Sequence, residues 1–192
     1  MGDALGVPYE FHVPANLPPA DAIELEPPAG FNRSHRGTPP GTWSDDGAQA
    51  LCLLASLLHC DGLDPDDLGA RFVRWWHEGY ATPDGRVFDI GNTTSDALLA
   101  LERGVPALEA GPCGELDNGN GSLMRVLPLA LWHRGDDAAL VRDARLQSRI
   151  THGHLRSQLA CAVYVLWARR MLDAHPTPWD ATVEWLRATL AG

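Results

Sequence analysis

The chain has 192 residues, a length suited to one domain, and its 45% share of apolar residues separates it from disordered sequences. Fifteen basic residues against 25 acidic ones leave a net charge of −10, which argues against a general binder of nucleic-acid backbones. All fifteen basic residues are arginine, so a P-loop lysine, a Schiff-base lysine and a pyridoxal-phosphate anchor are excluded within this sequence. In chain order, the stretch from Pro8 to Pro40 carries eight prolines and is predicted as loop. A helix is predicted from about Gly47, with Leu51, Leu54, Ala55 and Leu58 at helical spacing and Gly62 and Pro65 as stop signals. A second is predicted over Asp66–Glu78, burying Leu68, Phe72, Trp75 and Trp76 and ended by Gly79. A third runs over about Thr94–Arg103, closed by Gly104 and Pro106.

Beyond a Gly/Pro/Asp-rich link, a helix over Ser122–His133 is expected to bend or break at Pro128. Asp136–Arg149 reads as a polar-faced helix, His154–Leu172 as the longest and most apolar one, and Asp180–Leu190 as the last. No run of alternating β-branched residues occurs, so the expected architecture is all-α, a single domain over 1–192 with functional residues on the loops. The longest apolar runs, Ala48–Leu58 and Leu159–Ala168, are far short of the roughly 20 residues of a membrane span. The start Met1-Gly2-Asp3 lacks a basic region leading into an apolar one, and the four cysteines show no CxxC spacing. A cytoplasmic protein without membrane contact is expected.

Four segments could carry chemistry. Thr42-Trp43-Ser44-Asp45-Asp46 precedes the first long helix; hydroxyl and carboxylate there either cap free N–H groups or offer oxygen ligands to a hard cation such as Mg²⁺. Gly2-Asp3-Ala4-Leu5-Gly6-Val7-Pro8-Tyr9-Glu10 either ends a short helix with Glu10 exposed or aims Glu10 at the same cation. Asn118-Gly119-Asn120-Gly121-Ser122-Leu123-Met124-Arg125 forms a tight turn with an N-cap, or a nest of amides for phosphate oxygens with Arg125 as an anion partner one turn in. Thr151-His152-Gly153-His154 opens the longest helix; it lacks further ligands at zinc spacing, and His154 reads as a cap or an exposed residue.

Taken in order, these blocks resemble the ADP-ribosylglycohydrolase family, of the dinitrogenase-reductase-activating type. The matching residues are Gly2-Asp3, Gly6 and Glu10; Trp43-Ser44-Asp45-Asp46; Gly119-Asn120-Gly121, Met124 and Arg125; and Thr151-His152-Gly153-His154, with Asp89-Ile90-Gly91-Asn92-Thr93-Thr94 as a weaker intermediate block. The resemblance spans residues 2–172. It implies a compact orthogonal multi-helix domain with two Mg²⁺ ions (Mn²⁺ in some members) in a cleft that binds ADP-ribose. It also implies hydrolysis of the glycosidic bond between ADP-ribose and a protein side chain or a related small ligand. Ser44, Asp45 and Asp46 would be metal ligands. Glu10 would bind the same ion or its water and position the attacking group. Gly119, Asn120, Gly121 and Ser122 would line the ribose and diphosphate side, and His152 would contact ADP-ribose.

The sequence departs from the family pattern in two respects: no Asp-x-Asp-Ser/Thr block follows, and the helix that usually precedes the Gly-Asp start is cut to Met1. The single Asp-x-Asp, Asp64-Pro65-Asp66, is followed by Asp67 and lies between helices. The chain is therefore expected to correspond to the N-terminal part of such a domain, incomplete at its C-terminus, with half of the metal ligand set. Two alternatives stand beside the hydrolase: a catalytically inactive ADP-ribose-binding or regulatory module, and a helical interaction protein.

Overall fold

The computed structural model describes residues 1–190. It is 57% helical with no strand among the described residues, which excludes every sheet-based architecture. The helices are α1 (Gly2–Gly6), α2 (Asp45–Cys60), α3 (Pro65–Glu78), α4 (Asn92–Glu102), α5 (Ala107–Ala110), α6 (Leu127–Trp132), α7 (Asp137–Arg149), α8 (Leu155–Leu172) and α9 (Pro178–Leu190). Three short 3₁₀ turns, the last at Ala20–Ala22, break up the proline-rich region before α2.

Local chemistry sets the ends of these helices. Asp64 accepts from the N–H groups of Asp66 and Asp67 and caps α3, while Gly79, at φ 66°, closes it with its N–H on Trp75 O. Asp136 caps α7 through the N–H of Ala139. His154 caps α8, its Nδ1 accepting from Arg156 N at 3.1 Å, as the sequence suggested.

The start of α2 is clamped twice. Ser44 Oγ accepts from Asp46 N, and the Asp3 carboxylate, delivered by α1, accepts from Ser44 N at 3.0 Å and Gly47 N at 2.7 Å. A carboxylate at this positive helix end satisfies orphan donors and the dipole together. Gly47 is required here, since a Cβ would lie 2.7 Å from Asp3 Oδ2 and 2.9 Å from Trp43 Cβ.

The core is built from Leu53 and Leu57 of α2, Leu68, Phe72 and Trp75 of α3, Leu98, Leu129, Leu140, Ile150 and Leu166. Each such side chain contributes about 1.5–3 kcal/mol by leaving water. The buried stripe of α2 differs from the expected one: Ala48, Cys52, Leu53, Ser56 and Leu57 face inward, whereas Leu51 and Leu58 are exposed. The helix is apolar on most sides, so its periodicity does not single out a face. Trp76 is only half-buried beside the fully buried Trp75.

The expected helix over Ser122–His133 is also corrected. Residues 121–125 form successive turns, with the N–H groups of Leu123 and Met124 both on Asn120 O, and the α-helix is confined to Leu127–Trp132. Pro128 falls in the first turn of α6, where its missing N–H is harmless; upstream it forbids a continuous helix. Cys52 and Cys161 are buried, and burial pushes the Cys52 thiol up to about 12, so it acts as a small apolar side chain. Among the described residues no helix is long and apolar enough to cross a membrane.

Candidate active site

One cavity of about 500 Å³ gathers residues from all four sequence blocks. Its acidic end comprises Glu10, Asp45, Asp46 and Asp89. Its other wall is made by Gly91, Asn92, Thr93 and Thr94 at the start of α4, by the turn Gly119-Asn120-Gly121 with Met124, and by His152. The volume lies within the roughly 300–1,000 Å³ of small-molecule sites.

The acidic end is electrostatically strained. Asp45 is 5% exposed, and burial together with the charges of Asp46, Asp89 and Asp3 pushes its carboxyl up to about 8. Burial, Asp3, Glu10 and Asp89 push Asp46 up to about 6. Glu10 is raised by burial, an effect that its hydrogen bond to His35 opposes, and burial raises Asp89. No arginine lines the cavity among the described residues, and the one basic side chain paired with the cluster is His35, on Glu10. Oxygen donors crowded in this way fit a hard divalent cation.

Glu10 is fixed from two sides: His35 Nε2 lies 2.7 Å from its Oε2, and Ser34 Oγ donates to its main-chain carbonyl. The His35 ring packs against Phe88, with centroids 4.9 Å apart. Phe11, His35 and Asp89 all adopt positive φ (63°, 48° and 62°) beside the acidic end. Non-glycine residues rarely hold this conformation, and such strain gathers at functional sites.

On the opposite wall, burial, reinforced by the charge of Arg125, pushes His152 down to about 3. Its ring is therefore neutral and acts by hydrogen bonding, with Nδ1 held 2.9 Å from Thr151 Oγ1. The glycine at 121 is explained by close approach, because a Cβ there would sit 2.7 Å from His152 Cε1 and 3.2 Å from Thr94 Oγ1. Gly121→Ala is expected to displace the His152 ring, cost about 1–3 kcal/mol of stability and weaken binding of any occupant of this wall. Thermal unfolding and calorimetric titration with ADP-ribose check it; an unchanged affinity would dissociate Gly121 from the ligand wall.

Of the residues singled out in the sequence, Glu10, Asp45, Asp46, Gly119, Asn120, Gly121 and His152 line the cavity. Ser44 and Ser122 do not. The Ser44 hydroxyl donates to Asp3 Oδ1 at 2.8 Å and caps Asp46 N at the helix start, directly beside the cavity residues Asp45 and Asp46. Ser122 is fully buried under the turn, its hydroxyl 2.8 Å from Ser148 Oγ. Arg125 is no anion partner in this structure: it is fully buried, donates to Gln49 Oε1 at 2.8 Å and to Gln147 Oε1 at 3.0 Å, and stacks 4.4 Å over the Phe72 ring. Sequence reasoning gave no individual role to Asp89 or Phe11; the acidic character of Asp89 and its place in the weaker block were the available signals.

A family model described as ADP-ribosylglycohydrolase matches residues 1–192. ADP-ribosylarginine hydrolase Tri1 of Serratia proteamaculans is 32% identical over 166 residues, covering 84% of this chain and 42% of the relative. ADP-ribosyl-[dinitrogen reductase] glycohydrolase of Rhodospirillum rubrum is also 32% identical over 166 residues, covering 84% of this chain and 51% of the relative. A solved structure described as an ADP-ribosylglycohydrolase-related protein complex superimposes with a TM-score of 0.75 at 32% identity, over 97% of this chain and 58% of that one. The chain thus spans about half the length of the curated relatives it matches.

Proposed function

This chain belongs to the ADP-ribosylglycohydrolase family, and from that premise we propose that its cavity receives an ADP-ribosyl group and hydrolyses the bond joining it to an acceptor side chain. The names of the two relatives, an ADP-ribosylarginine hydrolase and a dinitrogen-reductase glycohydrolase, favour a protein-borne acceptor such as arginine. The observation that carries the reading is the juxtaposition, in one cavity, of four carboxylates with a glycine-asparagine turn and a neutral histidine. A glycoside of a nucleotide diphosphate asks for that division: hydrogen-bond donors for its anionic part and an acidic, cation-binding end for the reacting ribose.

Asp45, Asp46 and Glu10 would hold one Mg²⁺ or Mn²⁺, which their crowded carboxylates fit, and the Ser44 hydroxyl, donating its proton to Asp3, keeps a lone pair for the same ion. Such an ion supplies Lewis-acid polarisation of substrate oxygens and offsets the repulsion among the carboxylates. Glu10, oriented by His35, is placed to hold the attacking water. In the overall change the water oxygen bonds to the anomeric carbon while the bond to the acceptor breaks, its electron pair leaving with the acceptor. One water proton ends on that acceptor. The first turn of α4, which has no side-chain cap, and the turn at Gly119–Gly121 offer main-chain donors to the diphosphate. His152, neutral at physiological pH, contributes a ring nitrogen without adding charge.

The test is calorimetric titration of the chain with ADP-ribose in the presence and absence of Mg²⁺, followed by an assay for ADP-ribose released from ADP-ribosylated arginine. Cation-dependent binding with release is the expected result. Binding without release would select an ADP-ribose-binding module instead, and no binding at millimolar ligand would leave an interaction protein and end the hydrolase reading for this chain.

A further inference from the structure

The far end of α2 carries a second group of metal-binding side chains, about 24 Å along the helix from the acidic cavity. The last two residues of α2 are His59 and Cys60. The chain then reverses at Asp61, which adopts φ 49°, and Asp64 starts α3 as its cap. That tight reversal brings Asp67, in the first turn of α3, against the last turn of α2. One ligand atom each from His59, Cys60 and Asp67 lies within 4.8 Å of the others.

We propose that His59, Cys60 and Asp67 form a transition-metal site, of which Zn²⁺ is the natural occupant, bridging α2 and α3. Imidazole nitrogen, thiolate sulfur and carboxylate oxygen are the three zinc donors, and a tetrahedral ion separates its ligand atoms by roughly 3.3–3.8 Å. Small side-chain rotations close the remaining gap, because His59 is exposed and Cys60 only half-buried at a helix end.

The carboxylate is already oriented. Arg71 Nε donates to Asp67 Oδ2 at 2.6 Å and its NH2 group to Oδ1 at 3.3 Å, which keeps Asp67 ionised, and Tyr80 OH accepts from Arg71 in turn. Each carboxylate oxygen retains a lone pair for a metal, and an outer partner of this kind is what fixes a ligating carboxylate. Asp61, Asp64 and Asp66 add negative potential around the site.

The chemistry distinguishes this site from the cavity. A sulfur-nitrogen-oxygen set favours Zn²⁺ or Co²⁺ over Mg²⁺, whereas the all-oxygen cavity favours the hard ions. Binding forms a metal–sulfur bond and releases the Cys60 thiol proton to solvent, with no change of oxidation state.

The experiment titrates the whole chain with Co²⁺, reading thiolate-to-cobalt charge-transfer absorption, then displaces Co²⁺ with Zn²⁺ in excess Mg²⁺. One equivalent of Co²⁺ should produce the band and Zn²⁺ should erase it. Cys60→Ser should abolish the band, and His59→Ala should weaken Co²⁺ binding by roughly tenfold or more, with helical content unchanged by circular dichroism in both. Cys113→Ser, which removes the other thiol that is not buried, and Asp45→Asn, which disrupts the cavity, should retain it. No band in the wild-type chain, or a band that survives Cys60→Ser or His59→Ala unchanged, would overturn the proposal.

Discussion

Asp45→Asn should remove divalent-cation binding from the cavity and at the same time stabilise the cation-free protein at pH 8. The first effect follows from deleting a direct ligand, which should exceed the roughly 10–100-fold that loss of an outer-shell partner costs. The second follows from the sign of the titration. Asp45 ionises near 3.8 as an ordinary carboxyl but near 8 in the folded chain, pushed up by burial and by Asp46, Asp89 and Asp3. Between those values the folded protein holds a proton that the unfolded chain has released, so stability falls as pH rises through the window, by about 1.4 kcal/mol per pH unit for one group. Asp46 contributes with the same sign over a narrower range, ending near 6.

Urea midpoints at pH 4.5, 6 and 8, with chelator and with Mg²⁺, measure all of this. The cation-free wild type should weaken with rising pH and Asp45→Asn should weaken less. Mg²⁺ should lift the wild type at pH 8 and leave the variant unmoved. Parallel pH slopes for the two proteins would show that the acidic cluster carries no such strain.

How much of this was legible in the sequence depends on how local each cause is. The caps at Asp64, Asp136 and His154 and the stop at Gly79 act within a turn of themselves, and the helices they bound lie within a few residues of where the sequence places them. The blocks that share the cavity were legible as motifs because residue type and spacing are preserved. The orientation of individual side chains within them was not. Ser44 turns to Asp3, 41 positions away, and nothing beside Ser44 announces that partner. Ser122 disappears beneath its own turn because Ser148 receives its hydroxyl from 26 positions away. The inward face of α2 was misjudged for a related reason: Leu51 and Leu58 are as apolar as Leu53 and Leu57, and only the packing of α3 and α6 against α2 decides between them.

Arg125 illustrates that limit most fully and carries the largest stability prediction. Its position after a glycine-rich turn suggested an anion partner, yet it lies wholly inside the protein, where burial lowers its ionisation only to about 10 and it remains charged. Gln49 on α2 and Gln147 on α7 accept its hydrogen bonds, as does the carbonyl of Gly121, and Phe72 faces the guanidinium. It therefore ties α2, which carries Asp45 and Asp46, to the turn that carries Gly121, so one buried cation links the elements behind the two walls of the cavity. Arg125→Ala should cost about 3–5 kcal/mol, since it opens a cavity and strands several acceptors. Arg125→Met, which keeps most of the volume, should cost about 1–3 kcal/mol, the penalty of the stranded acceptors alone. Both should reduce ADP-ribose affinity in step with lost stability, as measured by urea midpoint and calorimetry on the same preparations. A variant that keeps the wild-type midpoint while losing ADP-ribose binding would return Arg125 to the role of direct anion partner.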